Sequence, residues 1–209
     1  MIELLDNFSQ LIVTLLATIG AGFLFFKNRG QAYLLLTCYF GTYTLGILYW
    51  TLHFYLFNYT PQVFYVSELA WISGSMFLLT LGYALSTPDE RKFRHPAIWL
   101  VIIFCVPQLI LYLSTGDILF NSLISGLAMA IGWNSARGLL YHKKQKHKQK
   151  SKEIFHTVVL LIIFLEHCLW TSSCFWVSDT YTNPYFWFDF LFTASLFALL
   201  PATKKAVEA

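Results

Sequence analysis

Residues 142–177 read HKKQKHKQKSKEIFHTVVLLIIFLEHCLWTSSCFWV. Six lysines fill the first part, and from Ile154 to Val177 the chain is almost wholly apolar, with Glu166 as its single acid. A helix that crosses a bilayer needs about 20 mostly apolar residues, and cationic flanks are held on the cytoplasmic side. The stretch therefore reads as a helix entering a membrane from the cytoplasm. Barrel strands would show segments of about 10 residues with alternating polarity, and this run has neither the length nor the alternation.

Six further runs have the same character, giving spans at about 7–26, 32–57, 64–86, 97–114, 118–141, 154–177 and 184–202. Polar punctuation separates them, including Lys27-Asn28-Arg29-Gly30, Thr87-Pro88-Asp89-Glu90 and Thr182-Asn183-Pro184. The composition agrees: 57% of the 209 residues are hydrophobic and 12% charged, against about 25% charged in a soluble domain. Mean hydropathy is +0.58. The fold class is all-α: one polytopic seven-transmembrane-helix bundle over residues 1–209. Thirteen of the fourteen Lys and Arg fall in alternate breaks or after span 7, and the other, Arg137, lies at the inner end of span 5. With seven spans they share one face, and the positive-inside rule makes that face cytoplasmic. The expected topology has the N-terminus outside and the C-terminus inside, in the cell (inner) membrane. Glu3 and Asp6 stand where a cleaved signal peptide would carry cations, so span 1 is expected to be retained.

Three acids lie within the spans. At 1.5 Å per residue, Glu68 and Asp189 sit ~7 Å from the outer ends of spans 3 and 7, and Glu166 sits ~16 Å deep in span 6. Such residues normally face a bundle interior or a water-filled cavity, and no Lys or Arg shares their depth. His167 adjoins Glu166, and His53 lies near the outer end of span 2. Aromatic rings crowd the same level. An interfacial belt accounts for most of them, yet the inner interface holds far fewer. Trp71 follows Glu68 by three residues and Trp170 follows Glu166 by four, which puts ring and acid on one helix face. Acid with aromatic walls suits a cation. The expected ligand-binding set is Glu68, Trp71, Glu166, His167, Trp170, Asp189, His53 and Trp50, in an outward pocket lined by spans 2, 3, 6 and 7.

The expected function is a seven-helix sensing or ligand-binding module for a cationic or amphipathic small molecule, signalling to a cytoplasmic partner. This layout resembles the seven-helix input modules of some bacterial sensor kinases and cyclases, in architecture and without a shared motif. Two alternatives stand beside it. One is a small secondary transporter with Glu166 and His167 as a proton or cation relay. The other is a membrane-embedded lipid-acting hydrolase using Glu166, Asp189 and His167. No catalytic residue is assigned.

Cofactors and metals are not expected. Span 7 contains no lysine for a retinal Schiff base, and Cys38, Cys105, Cys168 and Cys174 show no zinc-site spacing. Lys143, Lys144, Lys146, Lys148, Lys150 and Lys152 are expected to attract anionic lipid, at roughly 1 kcal/mol per near-surface cation, or an acidic partner. Nucleic acid is excluded, because the basic stretch is short and only Tyr141 could stack. Without Gly or Pro, this stretch is also expected to prolong span 5 as a helix beyond the membrane.

Overall fold

Hydrocarbon offers a peptide group no water, so an apolar run that enters it has to satisfy its N–H and C=O groups within itself, as a helix does. The computed structural model describes residues 2–61, 65–145 and 149–208, and every regular element among them is helical. The long helices are α1 (Ile2–Asn28), α2 (Gln31–Phe57), α3 (Tyr65–Leu85), α5 (Leu100–Thr115), α6 (Ile118–Lys144), α7 (Lys150–Ser173) and α8 (Pro184–Val207). A short helix, α4 (Pro88–Lys92), and a 3-10 turn (Pro96–Trp99) connect α3 to α5. Among the described residues, seven helices are long and apolar enough to cross a membrane, the 3-10 turn and α5 counting as one.

Six of the long helices close into a ring in the order α1, α2, α3, α6, α7, α8, with α8 returning to α1. α5 stands outside this ring against α6 and α7, fastened by the Tyr112 hydroxyl, which donates to the His167 carbonyl at 3.0 Å. The ring interior is packed by Phe40, Leu78, Leu81, Phe155, Ile162, Leu196 and Leu199. α1 shows the sidedness clearly. Its buried stripe is Gln10, Thr14, Ala17 and Ala21, while Ile12, Leu16, Ile19, Phe23 and Phe26 face outward and exposed. Polar and small residues inside with large apolar residues outside is the arrangement that an apolar solvent selects. It is compatible with a multi-pass membrane protein.

Several boundaries differ from those read in the sequence. α1 starts at Ile2, not near residue 7, because Asp6 and Gln10 turn into the bundle and do not form a solvated flank. α7 stops at Ser173, four residues before the expected end. Ser172 donates to the Cys168 carbonyl at 2.8 Å and Ser173 to that of Trp170 at 2.7 Å, and Val177 is left 98% exposed. The basic stretch prolongs span 5 only through His142, Lys143 and Lys144: α6 ends there, and Gln145 is extended at φ −71°, ψ 140°. Lys146 and Lys148, with the first residue of the expected third span, Phe64, lie outside the described residues.

α4 was read only as a break, yet Thr87-Pro88-Asp89-Glu90 forms a capping box. Glu90 N–H donates to Thr87 Oγ1 at 3.2 Å, and Thr87 N–H donates to Glu90 Oε2 at 3.4 Å. Such a box satisfies two orphan donors at once. Arg91 next to it donates to the Ser86 hydroxyl at 2.9 Å and to the Tyr83 carbonyl at 2.6 Å, covering the free carbonyl end of α3.

Candidate functional site

At the N-terminal face of the ring lies a cavity of about 250 Å³. Every ring helix contributes to it. α1 supplies Asn7 and Gln10, α2 Tyr43 and Trp50, α3 Trp71, α6 Phe120 and Ile124, α7 Glu166 and Trp170, and α8 Tyr185 and Asp189. The sequence reading placed the walls on spans 2, 3, 6 and 7; α1 and α6 (spans 1 and 5) also line it.

One side of the cavity is polar. Gln10 Nε2 donates to Asp189 Oδ1 at 2.6 Å and to Thr193 Oγ1 at 3.3 Å. Asp6, 1% exposed, sets its carboxyl against that of Asp189. A hydrogen bond between two carboxyl groups requires a proton on one of them, and a cation beside the pair would serve the same end. Asp6 Oδ1 and Asn7 Nδ2 are buried without a hydrogen-bond partner among the described residues. Glu166 reaches the cavity from α7 and makes no hydrogen bond or ion pair among the described residues.

The other side is aromatic. Trp71 lies 6.0 Å from Trp50 and 6.0 Å, edge to face, from Trp170, with Phe120 at 6.4 Å from both Trp71 and Trp170. Gly46 allows this packing, since a Cβ there would stand 2.9 Å from that of Ala70 and 3.3 Å from the Trp71 indole nitrogen. The four rings form a partition. Behind it a smaller pocket of about 200 Å³ holds Glu68, Asp117 and Asn121.

Comparison with protein-family models, with curated proteins and with solved structures yields no match for this chain. The geometry alone therefore carries the functional reading.

Of the expected set, Glu166, Asp189, Trp50, Trp71 and Trp170 line one cavity. Glu68 belongs to the pocket behind the partition. His167 does not line either: its Nδ1 is 2.9 Å from the Ile163 carbonyl, and its ring packs on Phe104 at 5.5 Å and Tyr112 at 6.3 Å. Neighbouring residues on a helix point about 100° apart, so Glu166 faces the ring interior and His167 faces α5. His53 sits over the end of α2, with Nδ1 3.1 Å from the Tyr59 carbonyl and its ring against Phe57 and Tyr59.

Asp6, Asn7 and Gln10 escaped the sequence reading. Their signal was available: with Thr14 they recur at helical spacing within an apolar run, which marks an inward face.

At the opposite, cationic end, Lys144 lies 5.6 Å above the Phe93 ring, and Lys152 donates to the Leu85 carbonyl at 3.3 Å. Lys143 and Lys150 flank a groove with Glu153. Among the described residues, one group of acid and histidine side chains is close enough to share a metal ion: Glu90, His142 and His156.

Proposed function

We propose that this chain is a multi-pass cell-membrane protein with an external N-terminus, whose cavity binds a small organic cation as the input of a sensing module. The observation that supports this reading is the cavity lining, where two carboxylates and three tryptophans meet and no Lys or Arg contributes. A cation over an indole face gains about 0.5–2 kcal/mol depending on desolvation, and a carboxylate in the same enclosure adds direct charge pairing. The volume narrows the class. Drug-sized ligands occupy roughly 300–1,000 Å³, so a cavity of about 250 Å³ suits a small amine or quaternary ammonium.

Every ring helix touches the cavity, so closure around a ligand shifts helix ends at the far face. A cytoplasmic partner with an acidic surface, or anionic lipid, reads that shift at Lys143, Lys144, Lys146, Lys148, Lys150 and Lys152. The transporter reading needs a relay from Glu166 to His167, and these two groups lie on different sides of α7. Proteoliposomes with radiolabelled tetramethylammonium test the proposal. Saturable binding without uptake is the expected result. Uptake into the lumen would favour a carrier, and absence of saturable binding would remove the cation site.

A further inference from the structure

We propose that Glu90, His142 and His156 bind one divalent transition-metal ion of the zinc type, at the end of the bundle opposite the cavity. The site shares no residue with the cavity and does not depend on its ligand.

The donors come from three elements. Glu90 lies in α4, His142 in the last turn of α6 and His156 in the second turn of α7. All three are buried, with relative exposures of 0%, 2% and 2%. His142 Nε2 stands 3.2 Å from Glu90 Oε2, and His156 Nε2 stands 3.3 Å from Glu90 Oε1. Zinc binds imidazole nitrogen and carboxylate oxygen at about 2.0–2.2 Å in a tetrahedral arrangement, which places neighbouring donors ~3.3 Å apart. Each histidine nitrogen stands at about that distance from one of the two Glu90 carboxylate oxygens, and one donor atom from each of the three residues lies within 4.8 Å of the others, close enough to converge on one ion.

Hydrogen bonding within the cluster is incomplete. Glu90 Oε1 is fully buried and has no hydrogen-bond partner among the described residues, although it is aimed at His156. A buried carboxylate with a free oxygen is costly unless a charge or donor meets it, and a metal ion answers that need. Two imidazoles and one carboxylate form a donor set suited to zinc and its first-row neighbours. They leave a fourth position for water or another ligand.

The surroundings hold the donors in place. The capping box fixes the Glu90 carboxylate against the Thr87 N–H. Gly138 lies one turn before His142 on α6, and a Cβ there would collide with the His156 imidazole and the Glu90 carboxylate. The missing side chain is what allows the three groups to converge. The imidazole planes of His142 and His156 lie within 19° of parallel, with centroids 5.9 Å apart. An ion at this point would tie the α3–α5 connection to the facing ends of α6 and α7.

The full chain in detergent, stripped with chelator, is titrated with Zn²⁺ by calorimetry and with Co²⁺ by visible absorption. The expected result is one equivalent per chain, with the intense bands of four-coordinate cobalt. His142→Gln and His156→Gln should each weaken uptake by roughly 100-fold or more, above the 10–100-fold typical of lost outer-shell partners. His95→Gln and His147→Gln should leave it unchanged. No saturable uptake, cobalt spectra typical of the aqueous ion, or loss of uptake in His147→Gln would overturn the proposal. Should the histidine variants fail to fold, the cobalt spectrum of the unaltered chain decides alone. A spectrum with no bound form would leave a proton-bridged Glu–His pair as the cluster's identity.

Discussion

Gln10, in the first helix, donates its side-chain amide to Asp189, in the last, at 2.6 Å. This bond joins α1 to α8 across 179 residues of sequence and closes the ring at the level of the cavity. Hydrogen bonds to ionised groups are short and about twice as strong as neutral ones. Gln10→Ala leaves Asp189 short of a donor and should cost about 1–3 kcal/mol, read as a lower thermal midpoint in detergent. Thr193→Ala should cost less, because its contact with the same amide is 3.3 Å.

Two glycines on α6 should respond oppositely to the same change. A Cβ on Gly138 collides with His156 and Glu90, whereas a Cβ on Gly126 meets nothing within 4 Å. Gly138→Ala should destabilise the fold by about 1–3 kcal/mol through overpacking. Gly126→Ala should be neutral or gain up to about 1 kcal/mol from helix propensity. Unfolding midpoints of the two variants, measured side by side, check this.

Burial opposes charge on Glu90, but the His142 hydrogen bond at 3.2 Å and the His156 ring nitrogen 3.3 Å from its other oxygen outweigh it, lowering its pKa from 4.5 to about 2 in the metal-free protein. Between those values the unfolded chain binds the extra proton, so stability rises with pH across that window. The contribution is complete above pH 4.5 and disappears as pH falls towards 2. Denaturation curves in chelator should show the gap between the unaltered chain and Glu90→Gln narrowing over that interval. A gap that stayed constant from pH 5 to pH 2.5 would contradict the pairing.

α5 stands outside the ring, and its attachment is local. The Tyr112 hydroxyl meets the His167 carbonyl at 3.0 Å and Thr171 Oγ1 at 3.1 Å. Tyr112→Phe removes both contacts at about 0.5–1.5 kcal/mol each. Hydrogen exchange should quicken over residues 100–115 and stay unchanged in α8.

The seven long apolar helices were legible because each run is long and ends at a polar break, and helix formation in hydrocarbon depends on little else. Asp6 was misjudged for a physical reason: an acid six residues from the start of a chain reads as solvated flank until a partner is known, and Asp189 lies 183 positions away. The acids and rings of α7 and α8 could be grouped from depth and spacing, since those quantities are local. Which way His167 turns could not, because it depends on α5 packing outside the ring. The convergence of Glu90 with His142 and His156 was equally hidden. No short spacing links them, and only the Thr87–Glu90 capping pattern hinted that the break held structure.

In the proposed cation site, the Glu166 and Asp189 carboxylates hold a small cation against tryptophan. The most direct measurement is a titration of tryptophan emission with tetramethylammonium in the unaltered chain, Glu166→Gln and Asp189→Asn. Saturable quenching is expected, weakened about 5- to 30-fold in each variant, as losing about 1–2 kcal/mol of charge and hydrogen-bond contact requires. Neopentyl alcohol, neutral and of similar size, should give no saturable response. Equal affinity in all three proteins, or an equal response to the neutral probe, would contradict it.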